Sequence, residues 1–445
     1  MVSLIPRIFK KLKDSSFLKN ILVIMTGTAI AQVISFALTP IISRLFSPSE
    51  FGVFGSFNAI LGIISTAVTM EYSQAIMLPK EKENALNLLA FSFVCTSLIS
   101  LLCLFFCIIA PATVNGIMKT AGFWPLALLF LATLAIGVNQ SCQAWAIRVK
   151  AFKHTSASQV IRSLSSNGLK IGFGYLKGGA LGLILSNVLA NILASINLFR
   201  VLLPDLTELR DHIRWSQMKR LARDFRDFPM YSASQGIINA LSSGLPVLLL
   251  TRFYGIAVAG AYAFAEGVLQ VPMGFLLTAL RQVLFQKACE SQHRGKSIAS
   301  LYIKTTAGLF AMAILPSLVL FLWAPQIFAW IFGPQWQVAG DLARSLIIWL
   351  AVVFCNLPAV LFARIIRIQR FVFIYDLVLL AARSLTLLLG GIYLDVYQTV
   401  MLFAIVGALM NFYLILHVGR LVMKKEGSAN WGNVRDVLIG GVGPK

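Results

Sequence analysis

Twelve stretches of about twenty residues or more run through this chain almost without charge, and nothing else in it limits the fold so severely. They span 20–43, 51–77, 85–110, 122–145, 156–176, 178–199, 228–251, 258–280, 298–322, 341–363, 371–390 and 397–419. A bilayer core about 30 Å thick is crossed by a helix of roughly 20 apolar residues. In hydrocarbon every backbone N–H and C=O needs a partner within the protein, and a helix supplies it internally. A β-barrel would instead show segments of about ten residues with alternating polarity, and these runs are long and continuous. Composition agrees: 58% of residues are hydrophobic, 12% are charged, and the mean hydropathy is +0.81. A soluble domain of 445 residues has no interior large enough for that much apolar surface. The expectation is an all-α integral membrane protein with twelve transmembrane helices.

The net charge of +21 invites a nucleic-acid reading, but the distribution of the charge rejects it. Alternate connections, counted from the N-terminus (1–19, 78–84, 146–155, 200–227, 281–297, 364–370 and 420–445), hold 29 Lys and Arg residues. The opposite set holds only Arg44, Lys119, Lys177 and Arg252. This asymmetry is the positive-inside pattern. It places both termini in the cytoplasm, fits an even number of spans, and leaves no role for nucleic acid. Five cysteines (Cys95, Cys103, Cys107, Cys142 and Cys355) fall in apolar runs and Cys289 on a connection read as cytoplasmic, so no disulfide framework is expected. The basic start MVSLIPRIFKKLKDSS precedes an apolar run that extends well past Ala29-Ile30-Ala31, which reads as an uncleaved first span.

The chain also repeats itself. RLFSPSEFGVFGSF at 44–57 and RFYGIAVAGAYA at 252–263 align without a gap at a shift of 208 residues. Arg44 then falls on Arg252, Phe46 on Tyr254, Gly52 on Gly260, Phe54 on Tyr262 and Ser35 on Ser243. Glycine and aromatics are common at membrane interfaces, so chance is one explanation. Duplication is the other: both stretches join the first two spans of a six-span block, and an even block gives parallel halves related by an axis along the membrane normal. The expected organisation is a six-helix lobe over 1–199, a cytoplasmic amphipathic linker over 200–227, a second six-helix lobe over 228–419, and a cytoplasmic tail over 420–445. In the linker, Leu206, Leu209, Ile213, Met218 and Leu221 recur at helical spacing. On the other side, 323–340 reads as an external connection whose tryptophans suit the interface.

Four segments carry a family likeness: EFGVFGSF, YSQAIMLPKEKENALNLLAFSF at 72–93, DFPMYSASQGIINALSSGLPVLLLTRFYG at 227–255 and GAYAFAEGVLQVPMGFLLTALRQVLFQKA at 260–288. The chain resembles the polysaccharide-exporter branch of the multidrug/oligosaccharidyl-lipid/polysaccharide (MOP) superfamily, and within it Wzx-type flippases of O-antigen and lipopolysaccharide synthesis. The resemblance implies a multi-pass protein of the cytoplasmic (inner) membrane. Its substrate would be an undecaprenyl-diphosphate-linked oligosaccharide, moved from the inner to the outer leaflet by alternating access. It leaves room for a polysaccharide polymerase as a partner, with membrane lipid around the whole.

A diphosphate is held by Arg or Lys, and sugars by amides, hydroxyls and aromatic faces. Five cations lie inside the spans or at their edges: Arg162, Lys170, Lys304, Arg344 and Arg383. A charge at the bilayer centre costs at least ~2.5 to 3.5 kcal/mol, so such residues usually face a cavity or a partner. In the fifth span Gln159, Arg162, Ser163, Ser166, Asn167 and Lys170 share one stripe. The stripe suits a cavity wall; it also suits a helix packed through small serines, with Arg162 snorkelling to the surface. Polar stripes recur in the first span (Thr28, Gln32, Ser35, Thr39) and the seventh (Ser232, Gln235, Asn239, Ser242). Either sugar binding or interhelical hydrogen bonding accounts for them. Lys170 and Arg383, assisted by Arg162 and Lys304, are thus the candidates for diphosphate, and Gln32, Gln235 and Asn239 those for sugar. Glu266 and Asp376 are the acids available for charge balance or coupling, Asp376 also as an ion-pair partner of Arg383. Arg44 and Arg252 mark a candidate external gate.

Other classes find less support. No Walker-type phosphate loop is present, and His154, His212, His293 and His417 are too dispersed for a metal site, so neither cofactor nor metal is expected. An enzyme acting on the same glycolipid would be expected to carry a large external loop, and none is seen. The stronger rival is a cation-coupled multidrug exporter of the same superfamily, whose cavity would be lined with acids and aromatics. Here intramembrane cations outnumber acids.

Overall fold

A computed structural model describes residues 16–209, 212–293, 297–366 and 368–427. Among them no strand occurs, and the long helices follow the apolar runs. They are α1 (Ser16–Leu45), α2 (Pro48–Ala67), α3 (Lys82–Ile109), α4 (Trp124–Arg148), α5 (Phe152–Tyr175) and α6 (Gly179–Leu209). After α7 (Trp215–Asp224) come α8 (Ser234–Tyr254), α9 (Ile256–His293) and α10 (Ile298–Phe332). The rest are α11 (Gln337–Cys355), α12 (Leu357–Ile365), α13 (Gln369–Tyr393) and α14 (Val396–Gly427). Eleven helical stretches among the described residues are long and apolar enough to span a bilayer. The twelfth run is α5, a helix of 24 residues whose polar stripe keeps it out of that count. The protein is a multi-pass, all-α membrane protein.

Several boundaries depart from the hydropathy reading. The run 258–280 continues as helix to His293, because Arg281 to His293 offers neither Gly nor Pro to stop it; Cys289 is helical, its side chain outside the described set. The expected connection 323–340 shrinks to a short turn around Pro334–Trp336, since α10 runs on through Pro325. Trp323 and Trp330 of that stretch are exposed, but Trp336 is completely buried and so is no interface anchor. The run 341–363 is broken at Asn356, where Pro358 removes a backbone N–H and starts α12 afresh. Over 200–227 the chain first completes α6 and then forms α7, which turns Met218 and Leu221 inward.

The described residues form two compact units. One comprises Met1–Phe264 with Trp330–Trp336, the other Ala265–Ala329 with Gln337–Lys445. In the first, α5 packs between α1 and α6, and α2 packs along α8. Ser47 and Glu50 cap α2 reciprocally: the Glu50 N–H donates to Ser47 Oγ at 3.3 Å and the Ser47 N–H to Glu50 Oε2 at 2.6 Å.

That start of α2 meets the start of α9 through the repeated glycines. A Cβ added to Gly52 would lie 1.9 Å from the Ile256 carbonyl oxygen, and one added to Gly260 would lie 1.9 Å from the Pro48 carbonyl oxygen. Position 256 is 48 shifted by the same 208 residues, so the two contacts are reciprocal. Gly55 faces Ala263, its own equivalent at that shift, at 3.0 Å. Reciprocal contacts of this kind are the mark of a local two-fold relation, and they favour duplication over chance. Small residues let two backbones touch here, as they do where membrane helices cross closely.

At the opposite end of this unit, Arg148 closes the chain between α2 and α3. Its guanidinium donates to the carbonyls of Ile76 and Pro79, each at 2.7 Å, and of Glu81 at 3.4 Å. Nearby, Met70 and Glu71 both adopt left-handed backbone (φ 48° and 61°), and half-burial raises the Glu71 carboxyl above its ordinary range despite a hydrogen bond from Gln74. Hydrogen bonds to a charged donor contribute about 1.5–3 kcal/mol each, less at a wet rim. Arg148→Ala is expected to cost about 2 kcal/mol, read as a lower midpoint of thermal unfolding in detergent. An unchanged midpoint would show that the turn is held by its apolar side chains alone.

Candidate functional site

The polar stripe of α5 divides by depth and direction. Thr28 Oγ1 donates to Gln159 Oε1 at 2.6 Å, Ser35 and Ser163 share a hydrogen bond at 2.9 Å, and Asn167 Nδ2 donates to Ser35 Oγ at 3.0 Å. Ser163 Oγ also donates to the Ala31 carbonyl at 2.7 Å, and Ser166 reaches Asn187 of α6 at 3.1 Å. Thr28 and Ser35 are thereby engaged in joining α1 to α5, as interhelical packing requires. Gln32 lies between them in sequence, and its side-chain carbonyl oxygen is buried with no hydrogen-bond donor among the described residues.

Lys170 stands apart from this seam. Its ammonium lies 5.1 Å from the centroid of the Phe54 ring on α2, and neither the hydrogen bonds nor the ion pairs found among the described residues involve it. The side chain is half-buried. A cation–π contact contributes about 0.5–2 kcal/mol and leaves the three N–H donors unused. Arg162, two turns earlier, is exposed.

On α8, Gln235 and Asn239 are exposed, and the Asn239 carbonyl accepts a hydrogen bond from Ser243 at 3.1 Å. The two repeated arginines differ. Arg44 Nη2 donates to the carbonyls of Trp330 and Ile331, both at 3.3 Å, whereas Arg252 is exposed. Around Arg44 the Ser43 carbonyl accepts from Trp336 Nε1 at 2.8 Å and from Gln335 at 3.1 Å. Trp336 in turn stacks on Phe264 at 3.9 Å and meets Phe51 edge-on at 5.0 Å. The Arg44 end of this unit therefore carries a cluster of packed aromatic rings.

In the second unit Arg383 is buried on α13, with its guanidinium carbon 3.7 Å from the centroid of Trp349 on α11 and 3.9 Å from that of Phe403 on α14. The two rings meet edge-on at 68° with centroids 5.9 Å apart, so they hold the guanidinium in an aromatic corner rather than between parallel faces. Gly407 makes room for Trp349: an added Cβ would lie 2.8 Å from the indole ring. Glu266 accepts from Gln270 at 2.9 Å and feels the charge of Arg383. Asp376 is half-buried beside Tyr375, and Lys304 is exposed. The sequence marks Phe54 only through the repeat and does not mark Trp349 or Phe403, because an aromatic ring within an apolar run carries no signal that separates a cation's bed from a lipid-facing side chain.

Residues 41–341 match the model of a family described as polysaccharide biosynthesis protein. The chain belongs to that family. No curated protein sequence matches it. Among solved structures it is similar to the lipid II flippase MurJ in an inward closed conformation, with a TM-score of 0.70 at 12% identity over 94% of this chain and 93% of that one. It is also similar to an inward-facing multidrug resistance MATE family transporter of the MOP superfamily, with a TM-score of 0.68 at 16% identity over 91% and 96% of the two chains. The same superfamily is represented by an outward-facing MATE family transporter, with a TM-score of 0.56 at 16% identity over 93% and 96%. At these identities the likeness is one of fold. By family this is a polysaccharide biosynthesis protein, and its fold is the one also found in MurJ and in MATE family transporters.

Proposed function

We propose that this family member flips an undecaprenyl-diphosphate-linked oligosaccharide, an O-antigen unit or a related surface-polysaccharide repeat, across the cytoplasmic membrane by alternating access. The observation that carries the reading is Lys170: an ammonium in a membrane span, bedded on a ring and, among the described residues, paired with no carboxylate. Anionic cargo explains why such a charge is tolerated in lipid. Lys170 and Arg383 are the proposed diphosphate ligands, with Arg162 and Lys304 assisting at the margins. Gln32, with its unanswered carbonyl oxygen, and the exposed Gln235 and Asn239 are the proposed sugar contacts. Glu266 balances the Arg383 charge, and Asp376 is held in reserve for coupling. Arg44 and Arg252 belong to the external gate, both termini are cytoplasmic, and the lobes 1–199 and 228–419 are the moving parts.

The rival is a cation-coupled exporter of cationic drugs. Its supporting observation is the acid Glu266, but that carboxylate already accepts from Gln270 and faces the charge of Arg383. Cells lacking the gene separate the two. The flippase reading expects lipid-linked repeat units to accumulate on the inner leaflet and surface polysaccharide to be lost. Normal surface polysaccharide with raised retention of cationic dyes would transfer the assignment to the exporter.

A further inference from the structure

We propose that the outer face of α7 is a docking surface for anionic phospholipid headgroups. The helix buries Met218 and Leu221, the latter in an apolar cluster with Leu86, Leu89 and Leu202. The other side is basic. Trp215, Lys219 and Arg223 follow one another at four-residue intervals, which sets them along one stripe, and Arg220 stands beside it. All four are exposed, Trp215 to 61%, and Arg214 and Arg226 extend the charge beyond the helix ends. The ion pairs formed among the described residues, Lys82–Asp205 and Glu83–His212, include none of these cations.

The helix is also fixed in rotation. At its start the Arg214 N–H donates to Asn87 Oδ1 at 3.0 Å, and Asn87 Nδ2 donates to the His212 carbonyl at 3.1 Å. Towards its end the Tyr72 hydroxyl donates to the Ala222 carbonyl at 3.0 Å. Asn87 and Tyr72 are both buried, so the basic stripe cannot roll inward. Asn87 lies in the second turn of α3, which places α7 at the mouth of a span, where hydrocarbon gives way to headgroups. Tryptophan flanked by cations on the polar face of an amphipathic helix is the composition of an interfacial element, and phosphate oxygens complement its charge. A soluble linker needs no such stripe. A headgroup bound there would hold α7, and with it the start of α3, at a fixed depth.

The test uses the full-length protein purified in detergent and read by native mass spectrometry after exchange into mixed phosphatidylglycerol and phosphatidylcholine. Wild type is expected to retain phosphatidylglycerol about tenfold over phosphatidylcholine, and to lose most of that preference as salt is raised. Lys219→Gln/Arg220→Gln/Arg223→Gln is expected to abolish the preference. Lys150→Gln/Lys153→Gln, which removes one exposed cation from the turn between α4 and α5 and one from the first turn of α5, is expected to keep it. If the triple variant fails to fold by circular dichroism, the single reversal Arg223→Glu takes its place. An unchanged preference in the α7 variant overturns the proposal, and so does an equal loss in the control, which would make the effect one of general surface charge. Loss of a co-purifying acidic protein, with lipid retention intact, would give the face to that protein and also overturn it.

Discussion

Gly260→Val is expected to remove both folding yield and transport, and Gly52→Val to do the same. The added side chain would begin 1.9 Å from a main-chain carbonyl oxygen in each case, Pro48 for one and Ile256 for the other. A flexible side chain would swing aside; a backbone oxygen in the first turn of a helix moves only with the helix. Overpacking of this kind costs about 3 kcal/mol, which lowers the folded-to-unfolded ratio about 150-fold in a marginally stable protein. Size-exclusion chromatography after mild extraction and the midpoint of thermal unfolding provide the readout. Gly62→Ala and Gly116→Ala serve as controls, because a Cβ at either meets nothing within 4 Å. The reciprocity sharpens the expectation: if the contact is the local two-fold meeting of a duplicated element, the two valine variants must resemble one another closely. A tolerant Gly260→Val beside a lethal Gly52→Val would separate the two sites and break the symmetry argument.

That repeat shows how far the sequence is legible. The shift of 208 residues is visible because a backbone-to-backbone contact admits only glycine, and so writes its requirement as residue identity. The spans are equally visible, because hydrocarbon tolerates no unpaired backbone and accepts few charges. Helix ends are harder. Gln282 to His293 continue α9 out of the apolar run, since hydropathy records where the membrane stops and not where the helix does. The break at Asn356 lies inside an apolar run and is signalled only by Pro358, whereas Pro325, Pro246 and Pro272 sit within continuous helices. Proline alone therefore did not separate a break from a tolerated kink.

The candidate site divides in the same way. Cations in spans stand out in a chain that has few of them there, which is what marks Lys170 and Arg383 as candidates. Their surroundings carry no such mark. Phe54 is one of 32 phenylalanines, and Trp349 and Phe403 sit among apolar neighbours without a distinguishing pattern. Helical spacing put Thr28, Ser35 and Asn167 on plausible cavity stripes, yet their hydrogen bonds are directed to neighbouring helices. A polar stripe specifies that a face avoids lipid. Whether it meets a helix or a ligand is decided by tertiary contacts that one-dimensional spacing does not encode.

Lys170→Ala is expected to reduce translocation by about 10- to 100-fold with insertion and fold intact. A charge-assisted hydrogen bond contributes about 1.5–3 kcal/mol, and each 1.36 kcal/mol is tenfold in rate or equilibrium. Proteoliposomes loaded with fluorescent lipid-linked oligosaccharide on one leaflet supply the measurement. Because the Lys170 ammonium rests on Phe54 and pairs with no acid among the described residues, its removal is expected to strand no carboxylate there and to change stability little. Lys170→Arg keeps the charge and restores much of the rate if the partner is phosphate, since a guanidinium also binds its oxygens. Arg383→Lys is expected to behave in the opposite way: it keeps the charge but loses the guanidinium that packs against Trp349 at 3.7 Å and Phe403 at 3.9 Å. Both fold and transport should suffer there. The contrast discriminates between a cation kept for cargo and a cation kept in part for packing. Full transport by Lys170→Ala would remove the cationic-cargo argument, and with it the main physical ground for preferring an anionic substrate.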